Sequence, residues 1–115
     1  MACIILYGIK NCDNVKKSLK WLDKNSVEYS FHDFHINGIN KPIIIEFLEN
    51  IEVSLLINRR STSWRKLSAE QKIISSRSKI IELLLKNPTL IKRPIVKTKS
   101  RYIVGFDQKE YDTLK

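Results

Sequence analysis

Three short stretches near the start of the chain constrain the fold more than anything else in it: an apolar run, a polar loop holding a cysteine, and a helical stripe. Cys3 to Tyr7 is uninterrupted apolar sequence ended by Gly8, the pattern of a buried strand. Lys10-Asn11-Cys12-Asp13-Asn14 follows as a polar loop with residues suited to capping a helix. Val15, Leu19 and Leu22 then recur at helical spacing, with Lys16, Lys17, Lys20 and Lys24 off that stripe, and Asn25-Ser26 ends the helix. Val27, Tyr29 and Phe31 alternate with Glu28, Ser30 and His32, which predicts a second strand. A strand-helix-strand start requires a crossover between parallel strands, normally right-handed.

The middle of the chain reads as helical. Asn37-Gly38 turns the chain, Asn40 caps, and Pro42 sits in the first turn of a helix reaching about Asn50, with Ile43, Ile44, Phe47, Leu48 and Ile51 on its inner face. A short apolar piece, Leu55-Leu56-Ile57, leads into a basic segment from Asn58 to Lys66. Ser68 with Gln71 fits a capping box, and a further helix over Lys79 to Lys86 turns Ile80, Leu83 and Leu84 inward until Asn87-Pro88 stops it. Ile95-Val96 and Tyr102-Ile103-Val104 predict a hairpin, and Asp107 starts a last helix that includes Tyr111 and Leu114. The expected class is α/β: a mixed four-stranded sheet covered by helices. A reactive Cys between the first strand and the first helix narrows it to a thioredoxin-like fold. With no repeat and no Pro/Gly/Ser-rich linker, residues 1–115 read as one domain with a helical insertion over about 40–88.

Length and composition fit this. A chain of 115 residues, 43% hydrophobic and 29% charged, can bury one core without disulfides or metals. The first residues lack a signal sequence's basic start and long apolar core, and no run approaches the ~18 apolar residues of a membrane span. The expected compartment is the cytoplasm, where a structural disulfide between Cys3 and Cys12 is not maintained. The 21 Lys and Arg against 12 Asp and Glu give a formal charge of +9. That balance suits anionic partners, and scattered lysines also make an ordinary solvated face.

Cys12 is the first candidate for chemistry. A thiol attacks only as thiolate, which a helix N-terminus and nearby cations favour, and Lys10 and Lys16 flank it. Free N–H groups at such a terminus can also hold an anion, against which the Asp13 carboxylate works. The fourth position of Cys12-Asp13-Asn14-Val15 is Val, so no CxxC disulfide forms, and a redox cycle here is monothiol and needs an outside thiol. Cys3, within the apolar run, reads as a buried, inert thiol. Arg93, before Pro94, reads from its residue type alone as a surface cation. Arg59, Arg60 and Arg65 form a basic cluster interleaved with Thr62 and Trp64, which suits carboxylate, phosphate or nucleic acid and equally a solvated loop. His32 and His35 point to opposite faces and no further ligands accompany them, so no metal is expected.

Three pieces together then resemble the ArsC/Spx family, nearest its YffB-like branch: Leu6 to Asp13, Leu56 to Arg59 with Thr62 and Trp64 to Leu67, and Ile91 to Val96 with Val104-Gly105-Phe106. The resemblance covers nearly the whole chain. It implies a thioredoxin-type sheet with a helical insertion, a cis Pro94 that brings Arg93 next to Cys12, and catalytic roles for Cys12 as nucleophile and Arg93 as oxyanion-binding residue. The expected substrate-binding residues are Lys10, Asn11 and Lys16 around the helix start, Pro94 beside Arg93, and Arg59 as a substitute for an arginine of the family. The family's arsenate reductases carry a second Arg where this chain has Asn58 followed by Arg59, and a third that is replaced around Gly105-Phe106. The CxxC switch of many Spx regulators is missing at Val15.

The activity expected from these readings is glutathione-dependent thiol-disulfide reduction, or a related monothiol reduction, by Cys12. The alternatives are arsenate reduction and an Spx-like, non-enzymatic, transcription-associated binding role. No tightly bound cofactor is expected, with glutathione as co-substrate. The expected partners are glutathione, a small oxyanion or a protein disulfide; nucleic acid ranks behind them, no membrane is involved, and the protein is a monomer.

Overall fold

The computed structural model describes residues 4–73 and 76–114. The chain divides into two compact units: the part up to Gly38 together with the part from Arg93, and the inserted Ile39–Lys92.

The first unit is built on four strands and two helices. In order they are β1 (Ile5–Gly8), α1 (Asp13–Lys24), β2 (Ser30–Asp33) and then, after the insertion, the hairpin and last helix described below. α1 starts where its polar loop ends, and Asn25 closes it by donating its backbone N–H to the Trp21 carbonyl (3.0 Å). Ser26 then takes a positive φ of 56°, and the Val27 N–H returns to the Leu22 carbonyl (3.0 Å). That bond ties Val27 to the helix end, so the second strand does not begin there as the alternation predicts. It begins at Ser30, where pairing with β1 starts.

The insertion holds α2 (Lys41–Asn50), two single-turn helices α3 (Val53–Leu56) and α4 (Thr62–Arg65), α5 (Arg77–Lys86) and a 3₁₀ turn at Pro88–Leu90. Asn40 caps α2 through its side chain, and Ser76 caps α5 in the same way. α5 therefore starts two residues earlier than Lys79. The apolar piece Leu55-Leu56-Ile57 is the end of α3 plus one residue, Ile57, which bridges to Ile91. Ser68 and Gln71 form the reciprocal capping-box bonds (2.9 and 3.1 Å), yet residues 69–72 are turns rather than a helix. A cap satisfies donors but does not supply the buried stripe that sustains a helix. The core of this unit is apolar and includes Ile44, Phe47, Leu56, Leu84, Leu90 and Ile91.

β3 (Ile95–Lys97) and β4 (Tyr102–Val104) form the expected hairpin, and α6 (Gln108–Asp112) follows. Asp107 caps α6 by accepting from Lys109 and Glu110, and the helix ends before Leu114. The sheet order is β2-β1-β3-β4. β1 and β2 are parallel, while β1–β3 and β3–β4 are antiparallel. The mixed four-stranded sheet is thus present.

One row across the sheet, Phe31–Leu6–Val96–Ile103, shares a face by register and meets Val15, Leu22 and Tyr111 from the two helices. Fully burying side chains of this size contributes roughly 1.5–3 kcal/mol each. Gly8 allows this packing to be close. A Cβ there would lie 2.6 Å from Val15 Cγ2, so only glycine lets the start of α1 sit against the end of β1. Strand β1 reaches Gly8 rather than stopping at Tyr7, while the Cys3 end of the predicted strand lies outside the described residues. Among the described residues, no helix is long and apolar enough to cross a membrane.

Candidate active site

The end of β1 sets the place of Cys12. After Ile9, the chain turns through Lys10 and Asn11, and the Cys12 N–H closes the turn on the Ile9 carbonyl (3.1 Å). Cys12 is the N-cap residue of α1, with extended backbone (φ −112°, ψ 130°). Its carbonyl accepts the first helical bond, from Lys16 N–H (2.9 Å). The thiol makes no capping bond, is in no disulfide, and is half-buried against the edge of the core. It is therefore held at a helix N-terminus, partly buried, with its sulfur in neither a cap bond nor a disulfide. Lys10, Asn11 and Lys16 are all exposed around it, as is Asp13 in the first turn.

The antiparallel ladder brings a second segment to the same end of the sheet. Tyr7 pairs with Ile95, so Pro94 and Arg93 precede β3 where β1 gives way to the cysteine loop. The Arg93–Pro94 peptide is cis, as the family resemblance implied. Pro94 is buried, its carbonyl accepts from Gly105 N–H (2.8 Å), and Arg93 is half-buried with Nε shielded from solvent. Eighty-one positions apart in sequence, the Cys12 loop and the Arg93 segment thus lie at the same end of two paired central strands.

Arg59 belongs to the other unit. It is exposed, and its guanidinium stands 5.5 Å from the centre of the Trp64 ring, with the Lys72 ammonium 5.9 Å from the same ring. His32 Nε2 is bonded to the Gly38 carbonyl (2.8 Å), and its ring packs 5.1 Å from Tyr7 and 5.8 Å from Phe34. His35 lies beyond β2 and is exposed.

Three polar positions in this unit escaped the sequence reading. Asp33 is buried at the end of β2, opposite Gly8; its Oδ1 accepts from His35 N–H (2.8 Å), and its own N–H donates to Asn37 Oδ1 (3.1 Å). Ser18 is fully buried on α1, donates to the Asn14 carbonyl (2.8 Å) and accepts from the Tyr111 hydroxyl (3.0 Å). A signal for Ser18 existed: it falls in the apolar stripe between Val15 and Leu22, where a hydroxyl needs a buried partner. Burial pushes the third group, the Tyr111 phenol, up to about 12; the Ser18 hydrogen bond opposes that shift and the Asp107 carboxylate adds to it.

Known proteins resemble this chain over nearly its whole length. The ArsC family model matches residues 7–114. A protein of Haemophilus influenzae of uncharacterized function is 40% identical over 108 residues, which is 94% of this chain and 95% of that protein. The global transcriptional regulator Spx of Streptococcus agalactiae is 30% identical over 109 residues, covering 93% of this chain and 79% of the regulator. A solved structure described as a YFFB protein superposes with a TM-score of 0.90 at 38% identity, covering 96% of this chain and 97% of the other.

Proposed function

Since the chain belongs to the ArsC family, we propose that it is a monothiol reductase that uses glutathione and acts through Cys12. The observation that carries this reading is a free thiol, half-exposed at the N-terminus of α1, that takes no part in capping the helix. Cys12 Sγ attacks the glutathione sulfur of a mixed disulfide, and the other half leaves as a thiolate that takes up a proton. A second glutathione thiolate then attacks the glutathione sulfur now bonded to Cys12. Oxidised glutathione forms and Cys12 is released. In all, the second glutathione is oxidised, the substrate sulfur is reduced to a free thiol, and the two glutathiones leave joined as one disulfide. Lys10 and Lys16, at the α1 N-terminus, attract the anionic groups of the substrate. Arg93 receives a glutathione carboxylate or the substrate anion, and Asn11 and Pro94 line the approach.

The proposed setting is the cytoplasm, where glutathione keeps thiols reduced, and the proposed form is a monomer that requires no bound cofactor. Its partners are glutathione, a protein disulfide or a small oxyanion. The test is turnover of a glutathione mixed disulfide coupled to glutathione reductase. Cys12→Ser is expected to lower kcat at least a thousandfold, on the scale of losing a covalent nucleophile. Full turnover by that variant would end the reading. Arsenate-dependent oxidation of glutathione in the same assay would instead move the substrate to the family's oxyanion.

The identity to Spx supports a second reading, a transcription-associated binding role in which Cys12 is dispensable. Co-purification with RNA polymerase, unaffected by Cys12→Ser, would favour it.

A further inference from the structure

A single line of hydrogen bonds, buried around Tyr111, joins the two segments that the proposed reaction uses. At one end, the Pro94 carbonyl accepts from Gly105 N–H (2.8 Å). Gly105 takes a positive φ of 83°, which glycine adopts freely, and its carbonyl accepts from the Tyr111 hydroxyl (3.2 Å). The one proton of that hydroxyl is shared with Ser18 Oγ (3.0 Å), and Ser18 donates its own to the Asn14 carbonyl (2.8 Å) in the first turn of α1, two residues from Cys12. Tyr111 and Ser18 are both completely shielded from solvent, and Pro94 and Gly105 are buried. The ring is fixed as well as the hydroxyl: Phe106 and Trp21 meet it edge-on at 5.1 and 5.4 Å.

We infer that Tyr111 is a positioning residue, a strut that holds the Arg93–Pro94 segment in register with the Cys12 end of α1. Two features make this more than core packing. A phenylalanine would fill the same volume, so the hydroxyl is present for its bonds. A serine in the middle of a helix that bonds back to its own i−4 carbonyl gains nothing for the helix. Here that bond carries the tyrosine's hold forward to the helix start. A buried network whose members all have partners fixes geometry more tightly than apolar contact does. The inference rests on the reading that Arg93 acts beside Cys12, and it assigns Tyr111 no contact with substrate.

The experiment uses two alkylating probes of similar size, anionic iodoacetate and neutral iodoacetamide, on full-length protein with Cys3→Ser so that Cys12 is the single thiol. The ratio of their rates at low salt reports the cation near the sulfur and needs no substrate. Arg93→Gln is expected to lower that ratio about fivefold, the effect of removing one nearby charge. Tyr111→Phe and, separately, Ser18→Ala are expected to move the ratio most of the way to the Arg93→Gln value while the helical circular dichroism is retained. A strut that is only structural would lower the melting temperature and leave the ratio alone; that result overturns the inference while the proposed function stands. If Arg93→Gln itself leaves the ratio unchanged, Arg93 is not beside Cys12, and both that part of the functional reading and the strut fall together. Should Tyr111→Phe not fold, the Ser18→Ala ratio decides between these outcomes.

Discussion

The two units bury different chemistry. Among the described residues of Ile39–Lys92, the buried side chains are all apolar. The sheet unit buries Ser18, Asp33 and the Tyr111 hydroxyl as well, each with a hydrogen-bond partner. Apolar packing tolerates rearrangement as long as volume is kept, whereas a satisfied polar network admits one arrangement. The unit that holds the cysteine is therefore the one in which positions are fixed by direction as well as by volume. The insertion keeps its charges at the surface, in pairs such as Arg77–Glu49 (3.5 Å) and Lys86–Glu82 (3.0 Å), and around Trp64.

The contrast can be broken most forcefully in the insertion. Phe47 is completely buried there, and Phe47→Ala is expected to cost about 3–5 kcal/mol. Urea unfolding measures that loss, and the alkylation rate of Cys12 in the protein that remains folded should not change. A slower rate would mean that the insertion also sets the site.

Alkaline pH sharpens the same contrast from the other side. The Tyr111 phenol is raised to about 12, mainly by burial. Below pH 10 it is neutral in both the native and the unfolded chain. Between pH 10 and 12 the unfolded chain releases this proton and the native chain keeps it, so stability falls as pH rises, by about 2–3 kcal/mol across that window. Tyr29, raised by its burial and by Asp23, adds to the loss in the same direction. Tyr111→Phe should flatten most of the alkaline decline seen in urea midpoints; an unchanged profile would show that Tyr111 is not its source.

Gly8→Ala is the smallest of the three and acts where the units' rules differ most. Its methyl would press on Val15 at 2.6 Å, and relieving that overlap is expected to cost about 1–3 kcal/mol. Because the displaced element is the start of α1, Cys12 alkylation should change along with stability. A stability loss with no change in rate would show that the cysteine tolerates a shift of its helix.

Much of this molecule was legible in the chain because its signals are local. The stripe Val15, Leu19, Leu22, the caps at Asn40 and Asp107, and the hairpin of Ile95-Val96 with Tyr102–Val104 all act within a few residues of themselves, and all are realised. The position of Cys12 at the start of α1 follows from the same local pattern. Where the local signal competed with a distant one, it lost. Val27 alternates like a strand residue yet is taken by the end of α1, and the Ser68–Gln71 box forms without a helix behind it. The family resemblance supplied what periodicity could not, the cis peptide before Pro94.

The sequence by itself determined that a thiol stands at a helix N-terminus after a buried strand, because that requires only an apolar run, a polar loop and a stripe of period 3.6. Tertiary structure alone decided which segments meet at that end of the sheet. The β1–β3 ladder brings in the Arg93 segment from 81 positions away, the closeness of Val15 demands glycine at position 8, and the Tyr111 hydroxyl reaches Ser18 across 93 positions. Those relations are set by strand register and by the direction of single hydrogen bonds, and a one-residue slip would turn each side chain to the other face.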